Sequence, residues 1–277
     1  MADRVRAALG RGALLLDAAM GTRLIARGLD LGADDPALWN LGRPEAVARV
    51  HDSDVAAGSE AVLTNTFGAN RAWLARYGRA DRVGAINRRA VGLARRAVGG
   101  GRFVLGSIGP TAIERPEAVR EQAELLAEAG VEALLFETYR ADQAERALRE
   151  VAGRVRIPLL VSLVAWPEPL AEIARRLDDR GAEAVGGNCQ DGMAPALRLA
   201  ERLRAVTRRP LIVKPSAGRP GTEPASPASF AQAAPALRSL GPVLVGGCCG
   251  TTEAHVAAIR AAWYAAGGRT VPGGTPP

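Results

Sequence analysis

Short apolar runs bounded by glycine, proline or charge recur along the chain at residues 13–16, 61–64, 102–106, 132–136, 158–163, 183–187, 210–213 and 242–245. Their length and boundaries are those expected of buried strands. Between them, stretches rich in Ala, Leu, Glu and Arg carry the helical period, at 45–57, 82–98, 116–129, 141–151, 168–179, 194–206, 227–240 and 253–266. Strands that alternate with helices run parallel, because each helix carries the chain back to the start of the next strand. Eight such units predict an α/β fold, a (β/α)8 TIM barrel in a single domain over residues 1–266. The competing architecture is an open doubly wound sheet. Its Gly-x-Gly-x-x-Gly turn is missing, and Asp17-Ala18-Ala19-Met20-Gly21-Thr22 follows the first strand instead. Residues 267–277 are rich in Gly and Pro and read as a flexible tail.

Composition narrows the setting. With 277 residues and 48% hydrophobic content the chain can build one large core. Residues 1–12 are polar and charged, and no apolar run nears the roughly 20 residues that cross a bilayer. The expectation is a cytoplasmic protein with no membrane partner. Three cysteines, two of them adjacent, suit ligands or nucleophiles in a reducing compartment better than a disulfide framework. The formal charge of +7 invites a nucleic-acid reading, but all the basic residues except Lys214 are arginines spread along predicted helices, and aromatics are only 4%. That pattern describes solvated helix faces, so no nucleic-acid partner is expected. Lys214, the single lysine, reads as a strand-end residue.

The chemistry is concentrated where the strands end. In such a barrel the polar residues just past each strand share one mouth. They are Asp17, Asn65 and Thr66, Ser107, Glu137 and Thr138, Asn188 and Cys189, Lys214 and Ser216, and finally Cys248 and Cys249. Strands six and eight have one strand between them and strand eight closes on strand one, so the three cysteines and Asp17 can meet. Vicinal cysteines on a strand point to opposite faces. Gly246, Gly247 and Gly250 let the backbone turn there instead. Three thiolates with one vacant position describe a catalytic zinc site, since structural zinc takes four protein ligands. His51 and His255 fall inside predicted helices and are not expected to complete it. Zinc deprotonates a coordinated thiol, and a centre already bearing three thiolates leaves a fourth sulfur nucleophilic. Sulfur alkylation therefore suits it better than hydrolysis.

Asp17-Ala18-Ala19-Met20-Gly21-Thr22, Thr64-Asn65-Thr66-Phe67-Gly68-Ala69-Asn70, Gly106-Ser107-Ile108-Gly109-Pro110, Phe136-Glu137-Thr138, Gly187-Asn188-Cys189 and Gly246-Gly247-Cys248-Cys249-Gly250, in this order and spacing, resemble the homocysteine S-methyltransferase family. That family includes betaine-dependent and S-methylmethionine-dependent enzymes and the homocysteine-binding module of cobalamin-dependent methionine synthase. The resemblance implies a zinc barrel in which Cys189, Cys248 and Cys249 bind Zn2+. It also implies that Asp17 and Glu137 hold the α-ammonium group of homocysteine, with Thr66 and Asn188 orienting the substrate. Two positions depart from the family pattern: Ala18 stands where glycine is usual, and Ser216 stands where the seventh-strand Pro-Asn-Ala-Gly has asparagine. The second touches the wall on the donor side and leaves the zinc ligands alone. The function expected is methyl transfer to homocysteine, giving methionine, with the donor undetermined. The alternatives are a subunit working with a separate corrinoid or folate protein in trans, and a non-catalytic zinc-binding barrel. Carboxylates at the same mouth favour an amino-acid substrate over storage.

Overall fold

In the computed structural model, which describes residues 2–10, 12–111, 115–218 and 224–265, eight strands appear where the apolar runs place them. They are β1 (Ala13–Leu15), β2 (Ala61–Leu63), β3 (Phe103–Ile108), β4 (Ala133–Tyr139), β5 (Leu159–Leu163), β6 (Ala182–Asp191), β7 (Leu211–Ser216) and β8 (Val243–Val245). These strands pair in parallel, in the order β1-β8-β7-β6-β5-β4-β3-β2. The expected (β/α)8 barrel is thus present and nearly closed. The tail expected from residue 267 lies outside the described residues.

The closing joint, between β1 and β2, has no strand ladder. It is bridged from the Glu60 N–H to Leu15 O at 2.7 Å and by two carboxylates that accept backbone N–H groups. Glu60 Oε2 takes Leu15 N at 3.0 Å, and Asp17 Oδ2 takes Leu63 N at 2.8 Å. Buried backbone donors need partners, and here side chains supply them.

The barrel interior is a layer of apolar side chains from every strand, including Leu14, Leu63, Leu105, Leu135, Leu160 and Ile212. The helix Ala2–Leu9 closes its lower end with Val5, Ala8 and Leu9. Between β1 and β2, the helices Met20–Ile25, Trp39–Gly42 and Pro44–Ala57 cover the outside. The single helix expected at 227–240 is two, Pro227–Ala231 and Ala234–Ser239, with Pro235 near the start of the second. Proline fits a first helical turn but breaks a helix interior. Among the described residues no helix is long and apolar enough to cross a membrane.

Candidate functional site

Strand alternation puts the chemistry directly above the apolar layer. Two residues beyond Leu105, Leu135, Leu160 and Ile212 come Ser107, Glu137, Ser162 and Lys214. On β6 the corresponding residue after Ala184 is Gly186, where an added Cβ would lie 2.0 Å from Ile212 O. The next inward residue is Asn188. Strands β4 and β6 run further than the apolar pattern indicates, because Glu137 still pairs with Ser162 and Asn188 with Lys214 before each ladder shifts register.

The three cysteines converge from β6 and from the turn after β8. Gly247 is needed in that turn because a Cβ there would sit 2.1 Å from Thr251 Oγ1, and Gly250 has φ +76°. Gly247 N donates to Asp17 O at 3.0 Å and Cys248 N to Pro215 O at 2.8 Å, fastening the turn to the ends of β1 and β7. The sulfur of Cys248 is 3.1 Å from that of Cys189 and 4.0 Å from that of Cys249. All three lie within 4.8 Å of one another. A tetrahedral ion with metal–sulfur bonds of about 2.3 Å holds its sulfurs about 3.8 Å apart, so this spacing fits one thiophilic ion.

The protons fit as well. Bonds from Cys189 and Cys248 pull the Cys249 thiol down to about 3. Cys189 is pushed up by its bonds to Cys248 and Cys249 and by burial. For Cys248 the bond with Cys189 favours the thiolate, but Cys249 and burial outweigh it and the thiol is raised. Three neighbouring sulfurs share the strain of one charge, and a cation among them would release the remaining protons.

Asn188, fully buried, is the hub beside them. Its Oδ1 accepts from Thr138 N at 3.0 Å and from Ser162 Oγ at 2.8 Å. Its Nδ2 donates to Thr138 Oγ1 at 2.8 Å and to Cys189 Sγ at 3.1 Å. The backbone N–H of Thr138 can only donate, which fixes the orientation of the amide. Thr138 and Cys189 are also the described non-glycine residues with positive φ, +68° and +64°. Such a conformation is a genuine outlier for a β-branched residue, and it turns the Cys189 side chain toward Cys248. Asn188 thus clamps two strained positions whose strain serves the sulfur cluster.

The expected carboxylates lie at the same mouth. Glu137 Oε1 receives Ser107 Oγ at 2.5 Å and Oε2 receives Lys214 Nζ at 2.6 Å. Burial would lower the Lys214 ammonium, but Glu137, Asp17 and Cys248 together hold it above its ordinary value. Burial pushes Asp17 up to about 8, with Asp54 adding to the effect and Lys214, the Leu63 N–H and Arg23 opposing it. Thr66 is buried; its hydroxyl meets Ser107 O at 2.7 Å and Thr64 Oγ1 at 2.6 Å, so it fastens the segment after β2 to β3. His51 is fully buried on its helix, and His255 bonds Thr252 and Ala225 O. Neither belongs to the cluster of possible metal ligands.

The raised Asp17 has a measurable sign. Below the ordinary value of 3.8 the carboxyl is neutral in folded and unfolded chains alike. Between that and about 8 the unfolded chain gives up a proton that the folded chain keeps, so stability falls as pH rises across the window. Asp17→Asn keeps an acceptor for Leu63 N and removes the titration. In metal-free protein its melting temperature should fall less than that of wild type between about pH 5 and about pH 8. Parallel melting curves for the two proteins would refute the assignment.

Lys214, expected at the strand end and at the shared mouth, stands on the inward row two residues beyond Ile212, and its pairing with Glu137 is what the local pattern does not signal. Asp17 has a second task at the closing joint, which no local pattern signals. Behind it, Arg23 is committed to Asp54, Ala19 O, Ser53 and Glu253.

A homocysteine S-methyltransferase family model matches residues 14–263. Methionine synthase of Mycobacterium tuberculosis is 33% identical over 294 residues, covering 89% of this chain and 24% of that protein. The chain thus spans about a quarter of the length of this relative. Homocysteine S-methyltransferase of Escherichia coli is 29% identical, covering 90% of this chain and 94% of that protein. Among solved structures, the metallated form of the homocysteine methyltransferase MmuM from Escherichia coli superposes with a TM-score of 0.76 at 27% identity. That match covers 91% of this chain and 96% of the other.

Proposed function

This chain belongs to the homocysteine S-methyltransferase family, and from that premise we propose that it transfers a methyl group to the thiol of L-homocysteine to form methionine. The observation that carries the reading is the convergence of Cys189, Cys248 and Cys249 in a mouth that also holds Asp17 and Glu137. The three cysteines would hold zinc. Zinc, when bound, supplies the charge that keeps the acceptor sulfur a thiolate at neutral pH and still nucleophilic. Glu137 and Asp17 receive the acceptor's α-ammonium group, which fixes the amino acid by its polar end while its sulfur faces the cysteines. As ammonium approaches Asp17 it favours the ionised carboxylate, reversing part of the cost of burial. Asn188 and Thr66 act through the framework, the first on Cys189 and Thr138, the second on Ser107.

The methyl donor is S-methylmethionine, S-adenosylmethionine, betaine, or a methylcorrinoid or folate carried by another protein in trans. Three free thiols fit a reducing compartment, and the reading places the activity in the cytoplasm.

X-ray absorption of zinc-loaded protein should show about three sulfur scatterers at roughly 2.3 Å, with one more after homocysteine is added. Calorimetry in buffers of different ionisation enthalpy should register proton release on binding. A screen of the donors above, following methionine, then identifies the reaction. Protein that holds no zinc, or that binds homoserine as tightly as homocysteine, would overturn the reading.

A further inference from the structure

We propose that Lys214 is the receptor for the carboxylate of the acceptor amino acid, so that this site demands an anionic end on its thiol substrate. The inference rests on the homocysteine reading and deepens it. Lys214 is the chain's only lysine and is 4% exposed. It projects from the inward row of β7 across the mouth to Glu137 on β4. Among the described residues, Glu137 Oε2 is the one acceptor for its three N–H donors, so the ammonium is far from saturated. Asp17 and Cys248 are near enough to raise its proton affinity as well.

A buried ion pair is weak evidence for stability, because a well-packed apolar pair does as well or better. What this pair does provide is a positive charge where the ligand needs one. Homocysteine bound through sulfur brings a thiolate and a carboxylate beside three cysteines and two acidic side chains. Its ammonium can meet Asp17 and Glu137, and for its carboxylate Lys214 is the cationic side chain that the inward rows of the described strands bring to the mouth. Arg23, the other buried cation close to Asp17, has its donors engaged with Asp54, Ala19 O, Ser53 and Glu253. With Lys214 between Glu137 and the substrate carboxylate, and the substrate ammonium between Glu137 and Asp17, unlike charges alternate around the mouth.

The test compares three thiols by calorimetry on zinc-loaded protein: L-homocysteine, 3-aminopropane-1-thiol, which lacks the carboxylate, and 4-mercaptobutyrate, which lacks the ammonium. Wild type should prefer homocysteine to the aminothiol by about 10- to 150-fold, the range of one charge-assisted hydrogen bond. Lys214→Met should bring homocysteine down to the level of the aminothiol and leave the aminothiol no weaker. Should Lys214→Met fail to fold with Glu137 unpaired, Glu137→Gln/Lys214→Met removes both charges. The ratio of the two amine-bearing ligands still reads the carboxylate, because any loss at the ammonium cancels. Selectivity that survives the loss of Lys214, or an equal loss for both ligands, overturns the proposal. If wild type binds 4-mercaptobutyrate as tightly as homocysteine and Lys214→Met abolishes that binding, the lysine's role stands and the amino-acid reading falls. If none of the three thiols binds, both fall.

Discussion

Cys248→Ala is expected to leave the protein folded, unable to retain zinc, and more than about 100-fold slower in homocysteine methylation, beyond the upper end of what losing an outer partner of a metal ligand costs. Cys248 is the shared neighbour of the cluster, 3.1 Å from Cys189 and 4.0 Å from Cys249 by sulfur. Removing it leaves one thiol on β6 and one in the turn after β8, and two sulfurs do not make a tight site for an ion that prefers four ligands. The fold should survive, because the turn is fastened by main-chain bonds: Cys248 N to Pro215 O, Gly247 N to Asp17 O, and Ala217 N to Cys249 O. Metal content by chelator titration, alongside a melting curve, separates loss of the site from loss of the fold. Stoichiometric zinc and wild-type methylation in Cys248→Ala would show that this cluster is not the centre of the reaction.

Asn188→Ala should act on metal and fold together. Its amide makes four contacts inside the protein, and its removal leaves the buried Ser162 Oγ and the part-buried Thr138 N without their acceptor. A buried group left unpaired costs about 1–3 kcal/mol and a part-buried one less, so a loss of about 1–4 kcal/mol is expected. The positive φ of Thr138 and Cys189 then loses its clamp, and zinc affinity should drop by about 10- to 100-fold as for other outer partners of metal ligands. Asn188→Asp separates the contributions, since it keeps an acceptor for Thr138 N and Ser162 Oγ but cannot donate to Cys189 Sγ or Thr138 Oγ1. It should recover part of the stability while zinc affinity stays low. If Asn188→Ala melts with wild type and binds zinc equally well, the amide is not a clamp.

The parts of this site that were legible in the sequence are those carried by local signals. Apolar runs mark the eight strands, and the Gly-Gly-Cys-Cys-Gly turn shows its own need for glycine at 247 and 250. Glu137 and Cys189 follow their apolar runs at a spacing that aims them at one mouth. The helix Ala2–Leu9 was readable too, since Val5, Ala8 and Leu9 stand at helical spacing, but its charged neighbours masked it. The Lys214–Glu137 pair joins strands 77 residues apart, and only closure of the barrel brings them together. Likewise, the positive φ of Thr138 and Cys189 arises where two ladders change register, a property of paired strands that neither strand shows alone.

The joint between β1 and β2 constrains anyone who would redesign this mouth. Asp17 holds the Leu63 N–H across the gap, and in the function proposed above the same carboxylate also receives the acceptor's ammonium group. A library at position 17 that selects only for new acceptors will therefore be dominated by variants with an open wall, and their failure will look like poor binding. Asparagine and other side chains of similar reach that bear an oxygen are the productive starting points. Larger changes of specificity are better sought at 137 and 214, where altering both members of the pair together leaves no backbone donor stranded.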